Sequence, residues 1–153
     1  MELFRTKNAK YKFYSTPNIE YIKFNDDNLF FKNTIKNHDF SIIKSEIIDA
    51  ELKGVVRTIT GIKKSGTPLK TTFIENLTLT IKTKDKNIVI YPNIEIKQIK
   101  SINVYLKIIN EKELIKLQID LYKKHFINFS ISFESDNDYE SILLVDELNN
   151  YAS

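Results

Sequence analysis

The sequence predicts a mainly β domain: a single curved sheet or partly open barrel of about eight to ten antiparallel strands, closed by one C-terminal α-helix. Three observations predict it. Apolar and polar residues alternate through most of the chain, as half-buried strands require. β-Branched and aromatic residues abound, with 24 isoleucines and 12% aromatics among 153 residues. Near residue 136 the apolar spacing changes from two to that of a helix.

Taken in order, "IEYIKF" (19–24) and "NLFFKN" (28–33) flank the polar cluster Asn25-Asp26-Asp27 and form a hairpin. "DFSIIKSEIIDAELKGVVRTIT" (39–60) is long for one strand and is expected to bend near Ser45 or break near Gly54. "GIKKSGTPLK" (61–70) holds two of the three glycines and reads as a loop. "TTFIENLTLTIKT" (71–83) and "NIVIY" (87–91) then make a long hairpin around Lys84-Asp85-Lys86, and Pro92-Asn93 punctuates the chain.

"SINVYLKII" (101–109) alternates through Val104, Leu106 and Ile108. In "KELIKLQIDLYKK" (112–124), Asn110 with Glu113 resembles a helical cap, yet Ile115, Leu117, Ile119 and Leu121 alternate strictly, which favours a strand. "FINFSISF" (126–133) is a strand showing Ile127, Phe129, Ile131 and Phe133 to one side. Ser135 or Asp136 would cap the closing helix, with acids in its first turn and Leu144, Leu148 and Tyr151 at helical spacing. No internal repeat, linker or domain boundary interrupts the chain, so residues 1–153 form one domain.

Composition narrows the chemistry. The absence of cysteine excludes disulfides, thiol catalysis and cysteine-based zinc sites, and it fits a cytoplasmic protein. "MELFRTKNAKYKFYS" lacks a continuous apolar core and a small-residue cleavage site, so no signal peptide is expected. Abundant Ile, Lys and Asn beside three residues each of Gly, Ala and Pro indicate an A/T-rich genome, such as that of a low-GC bacterium or its phages.

No phosphate loop, dinucleotide fingerprint or nucleophile elbow occurs. His38 and His125 lie far apart and lack ligand residues at metal spacing, so no metal, cofactor or catalytic residue is expected. Asp49 and Glu51 share a strand face with Glu46 opposite, which leaves no acid/base pair.

Charge is uneven. Residues 61–100 carry eight lysines against three acids, whereas residues 135–153 carry five acids and no lysine or arginine. Convergence of Lys63, Lys64, Lys70, Lys82, Lys84 and Lys86 would make an anionic-ligand patch for nucleic acid or phospholipid headgroups. The simpler alternative is that these lysines are solvated and guard strand edges. Tyr11, Phe13 and Tyr14, interleaved with Lys7, Lys10 and Lys12, read either as a base-stacking platform or as an edge strand with an inward aromatic face. Phe30 and Phe31 point to opposite strand faces, so one of them is a candidate protein contact.

"DFSIIKSEIIDAELKG", the loop after it and "NLTLTIKTKDKNIVIYPN" resemble bacterial pleckstrin-homology-like domains. These look like a strand ending in a Ser-acidic-Ile-Ile step, a bent strand, a variable loop, a long hairpin and a C-terminal helix. The resemblance covers residues 13–91 and 136–150 and departs at 94–134. It implies a binding scaffold without catalytic residues. By elimination, from the compact size and the missing catalytic motifs, the expected function is non-enzymatic binding of a macromolecule, a protein first and an anionic ligand second. Size and composition fit an inhibitor or accessory protein carried by a phage or mobile element.

Overall fold

A computed structural model describes residues 11–14, 19–62, 64–66, 68–96 and 111–153. Lys63 and the strand expected at 101–109 lie outside the described residues.

The fold is mainly β. The described strands are β1 (Tyr11–Tyr14), β2 (Ile19–Phe24), β3 (Asn28–Asn33), β4 (Phe40–Ile43), β5 (Ile47–Ile62), β6 (Pro68–Thr83), β7 (Asn87–Ile90), β8 (Asn93–Ile96) and β9 (Phe129–Ser135). Two helices accompany them, α1 (Glu111–His125) and α2 (Tyr139–Ala152). The strands form a β1–β8 pair, a three-stranded sheet β2-β3-β4 and a four-stranded sheet β7-β6-β5-β9. They do not form the single curved sheet or barrel that the alternation suggested. No helix among the described residues is long and apolar enough to cross a membrane.

The β2–β3 hairpin occupies the expected residues. The Asn25 N–H donates to the Asn28 carbonyl at 2.9 Å, closing a turn that short polar residues favour. Between β4 and β5 the chain bends in one 3₁₀ turn, Lys44–Glu46, as expected near Ser45. At Gly54 β5 runs on unbroken, and the irregularity falls in β6, where the register slips between Lys53 and Val55. Asn76 absorbs that slip with a φ of 55°, a left-handed conformation that asparagine tolerates better than most residues.

The core gathers one face of each larger sheet and the inward stripes of both helices. Ile22, Phe24, Leu29 and Phe31 meet Leu52, Val56, Leu79 and Ile81, with Ile119 and Tyr122 from α1 and Leu148 from α2. Phe31 lies stacked on Phe40, ring centroids 4.6 Å apart.

Residues 112–124 are helix, not the strand that their alternation favoured. Ile115, Gln118, Ile119, Tyr122 and Phe126 are buried together, which is helical spacing. The alternation counted only aliphatic residues and so missed the contribution of Tyr122 to the stripe. The Tyr122 hydroxyl donates to Gln118 Oε1 at 2.9 Å, so the two polar groups of the stripe satisfy each other. Burial pushes the Tyr122 phenol well above its ordinary pKa.

Two further expectations are corrected. β9 begins at Phe129, leaving Ile127 95% exposed, and it pairs with β5 in parallel. The cap of α2 is Asp138, whose carboxylate accepts from the Glu140 N–H at 3.0 Å, because Asp136 is engaged elsewhere.

Candidate functional site

β5 and β6 pair from Ile47↔Thr83 to Ile62↔Pro68. The stretch expected to be a loop is therefore mostly ladder, with a turn described over residues 64–66. β-Branched Thr58, Ile59, Thr60, Thr71 and Thr72 suit an extended backbone whether or not they are buried. Gly66, at a φ of 81°, supplies a left-handed turn residue at the tip. All described residues from Ile59 to Thr71 are exposed, so this end of the hairpin is an arm standing clear of the core. By strand alternation and register, Ile59 and Leu69 occupy one face of the arm and Ile62 the other. Ile62 is 80% exposed.

A hydroxyl cluster fixes the root of the arm to α2. Thr58 Oγ1 lies 2.7 Å from the buried Ser141 Oγ and 2.8 Å from Thr72 Oγ1. Asp136 Oδ2 accepts the Thr58 N–H at 2.9 Å. That bond, with the Ser141 hydroxyl second, holds the Asp136 carboxyl below its usual pKa. Beside the cluster, Lys70 Nζ stands 3.4 Å from Asp138 Oδ2. An exposed pair of this kind adds little stability.

α2 is apolar on two sides. Ser141 and Leu148 are buried, with Leu144 and Val145 packed against the core. Tyr139, Ile142 and Leu143 face outward, with Tyr139 68% exposed. Between the root of the arm and α2 lies a cleft of about 520 Å³ lined by Thr72, Phe73, Ile74, Lys112, Glu140, Leu143, Leu144 and Glu147. Three consecutive residues of β6 line it, so the cleft runs along the strand's edge rather than over one face. Its apolar lining is accompanied by two carboxylates and one cation, and Lys112 pairs with Glu147 at 3.2 Å.

Such a surface can hold an extended, apolar, basic segment. No family model, curated protein or solved structure matches the chain. Among the described residues no three His, Asp or Glu side chains are grouped to hold a metal ion.

The lysines singled out in the sequence are not brought to one place. Lys64 and Lys70 belong to the arm. Lys82 lies near the opposite end of β6, and Lys84 and Lys86 lie in the β6–β7 turn that follows. Lys70 and Lys82 are separated by about 40 Å of strand at ~3.3 Å per residue. Lys82 stands opposite Asp49 in the ladder, and Lys86 Nζ lies 5.5 Å from the centre of the Phe40 ring. Of the adjacent phenylalanines, Phe31 is in the core, while Phe30 lies on the outer face, 6.3 Å from the Tyr21 ring.

Sequence reasoning missed Ile62, Leu69, Tyr139, Ile142 and Leu143. One signal for them was present. Ile142-Leu143-Leu144-Val145 is an unbroken apolar run in a helix, where successive side chains turn by about 100°. Four such residues cannot all face one core.

Proposed function

We propose that the protein is a non-enzymatic binding module for another protein, engaged by the outward face of α2 together with the β5–β6 arm. The observation that carries this reading is the second apolar stripe on α2, Tyr139, Ile142 and Leu143, beside an arm that exposes Ile59, Ile62 and Leu69. Scattered exposed apolar residues are ordinary; a cluster rimmed by charge around a cleft marks a contact surface. Fully burying an exposed aliphatic side chain contributes about 1.5–3 kcal/mol, and covering Ile142, Leu143 or Leu69, already about half buried, contributes roughly half of that before the costs of association are met. The role of an inhibitor or accessory protein of a mobile element is consistent with this mode of action.

We also propose a pleckstrin-homology-like ancestry, supported by the long hairpin and C-terminal helix in the expected order. β9, parallel to β5, is an addition to that plan.

The alternative, an anionic ligand held by lysines, would have two separate footprints, Lys64 with Lys70 and Lys82 with Lys84 and Lys86. Its binding would fall steeply with salt through counterion release. A single assay separates the readings: capture from a low-GC bacterial lysate by the wild-type chain and by Leu143→Asp, with and without nuclease and at raised salt. Protein binding predicts a discrete protein that survives nuclease and salt and is lost with Leu143→Asp. Material that vanishes with nuclease or salt and ignores the substitution would defeat it.

A further inference from the structure

We infer that the partner seated on this surface is a second copy of the same chain, with the arm of each copy lying in the cleft of the other. The inference rests on the protein-binding reading above and names its partner.

The two surfaces both carry apolar side chains and are opposite in net charge. The arm is extended, carries Ile62 and Leu69 exposed, and has three lysines and no acid between residues 61 and 70. The cleft runs along the β6 edge and is lined by Phe73, Ile74, Leu143 and Leu144, with Glu140 and Glu147 beside one cation, Lys112, which pairs with Glu147 at 3.2 Å. Residues 135–153, from which those carboxylates are drawn, carry five acids and no lysine or arginine. A basic segment with exposed apolar side chains thus meets a largely apolar groove in which two carboxylates stand against one cation, and opposite charge of this kind steers and registers a protein contact.

The arm cannot fill the cleft of its own chain. Thr72, Phe73 and Ile74 are the wall of the cleft and the root of the arm at once, and the strands stay paired from there to Ile62↔Pro68. The occupant must come from another molecule. Arm and cleft also lie side by side, joined through Lys70–Asp138 and the Thr58–Ser141 contact. A two-fold axis beside that junction brings each arm to the other's cleft, so the assembly closes as a dimer rather than growing into a filament.

The test is the molar mass of the full chain by light scattering and sedimentation over a range of concentrations. The expected result is a concentration-dependent dimer of twice 18.0 kDa. Ile62→Asp and Leu143→Asp should each give a monomer with unchanged circular dichroism and melting. A charge exchange gives a sharper reading. The double variant Lys64→Glu/Lys70→Glu and the double variant Glu140→Lys/Glu147→Lys should each be monomeric alone and form a dimer when mixed, since both contacts of the mixed pair are then attractive. A wild-type chain that stays monomeric, or a dimer indifferent to all four variants, overturns the inference. A monomer that still captures a different protein, and loses it with Leu143→Asp, overturns the inference while leaving the protein-binding reading intact.

Discussion

The ring of Phe133 lies directly over the backbone of Gly54. A Cβ added to Gly54 would stand 2.7 Å from Phe133 Cε1 and 3.0 Å from Ile74 Cγ2. The two residues are register partners in the parallel β5–β9 pair, and Phe133 is among the buried core residues. Gly54→Ala should therefore destabilise the protein by about 1–3 kcal/mol through overpacking. In the Phe133→Leu background the same substitution should cost less, a coupling that a double-mutant cycle in urea reads directly. Additive costs would mean that the ring is not what excludes the methyl group.

His125 gives a pH dependence with a definite sign. Burial, then Lys44 and Lys124 beside it, lower its pKa from 6.5 to about 4. Lys44 Nζ lies 2.7 Å from Nδ1, and Nε2 has no hydrogen-bond partner among the described residues. The folded state thus holds the imidazole neutral where the unfolded chain would protonate it. Its contribution to stability is complete above pH 6.5 and declines as pH falls toward about 4. His125→Gln should flatten the fall in urea midpoint over that interval relative to wild type. Parallel wild-type and variant curves would contradict the assignment.

Asn76 holds the β6 irregularity in a left-handed conformation, and its carbonyl accepts from Thr78 Oγ1 at 3.1 Å. Glycine adopts that backbone without strain, so Asn76→Gly should leave the melting temperature nearly unchanged. Asn76→Val should lose about 1–3 kcal/mol, because a β-branched residue at positive φ is strained. Equal effects of the two substitutions would show that the register slip does not depend on the local backbone.

The β6–β7 turn is held by a hydroxyl rather than by its lysines. Thr83 Oγ1 donates to the Lys86 carbonyl at 2.8 Å and lies 3.1 Å from the Lys86 N–H. Replacing Lys82, Lys84 and Lys86 together by alanine keeps both contacts and should change stability by less than about 1 kcal/mol, most of it the Lys86–Phe40 contact. Thr83→Ala should cost about 1–2 kcal/mol. A triple lysine variant that melts well below Thr83→Ala would reverse this ranking.

These particulars also mark what local patterns carry. The β2–β3 hairpin was legible because alternation and an Asn-Asp turn agree on the same residues. Helix α1 was not, because Ile115, Leu117, Ile119 and Leu121 satisfy a period of two, while the decisive residues Gln118 and Tyr122 are polar or amphipathic. The arm reads as a loop because its composition lacks a core-facing side; its strands persist on backbone pairing and β-branched residues. The partner of β9 is set by distant packing against Gly54, which no local spacing records. The proposed contact surface was half visible, in the apolar run 142–145 and the opposed charges of 61–100 and 135–153.

The parallel pairing of β5 with β9 has a consequence for how the chain reaches this state. Ala50 finds its neighbour Phe129 roughly eighty residues later in the chain, whereas its other neighbour, β6, follows at once through a hairpin. During synthesis, at about 5–20 residues per second, β5 therefore spends several seconds with one edge open. Contacts this distant raise the contact order and slow folding relative to the hairpins. In that interval the polypeptide is most exposed to pairing with a foreign strand, so chaperone dependence and inclusion-body formation should track the emergence of β9 rather than the stability of the finished molecule.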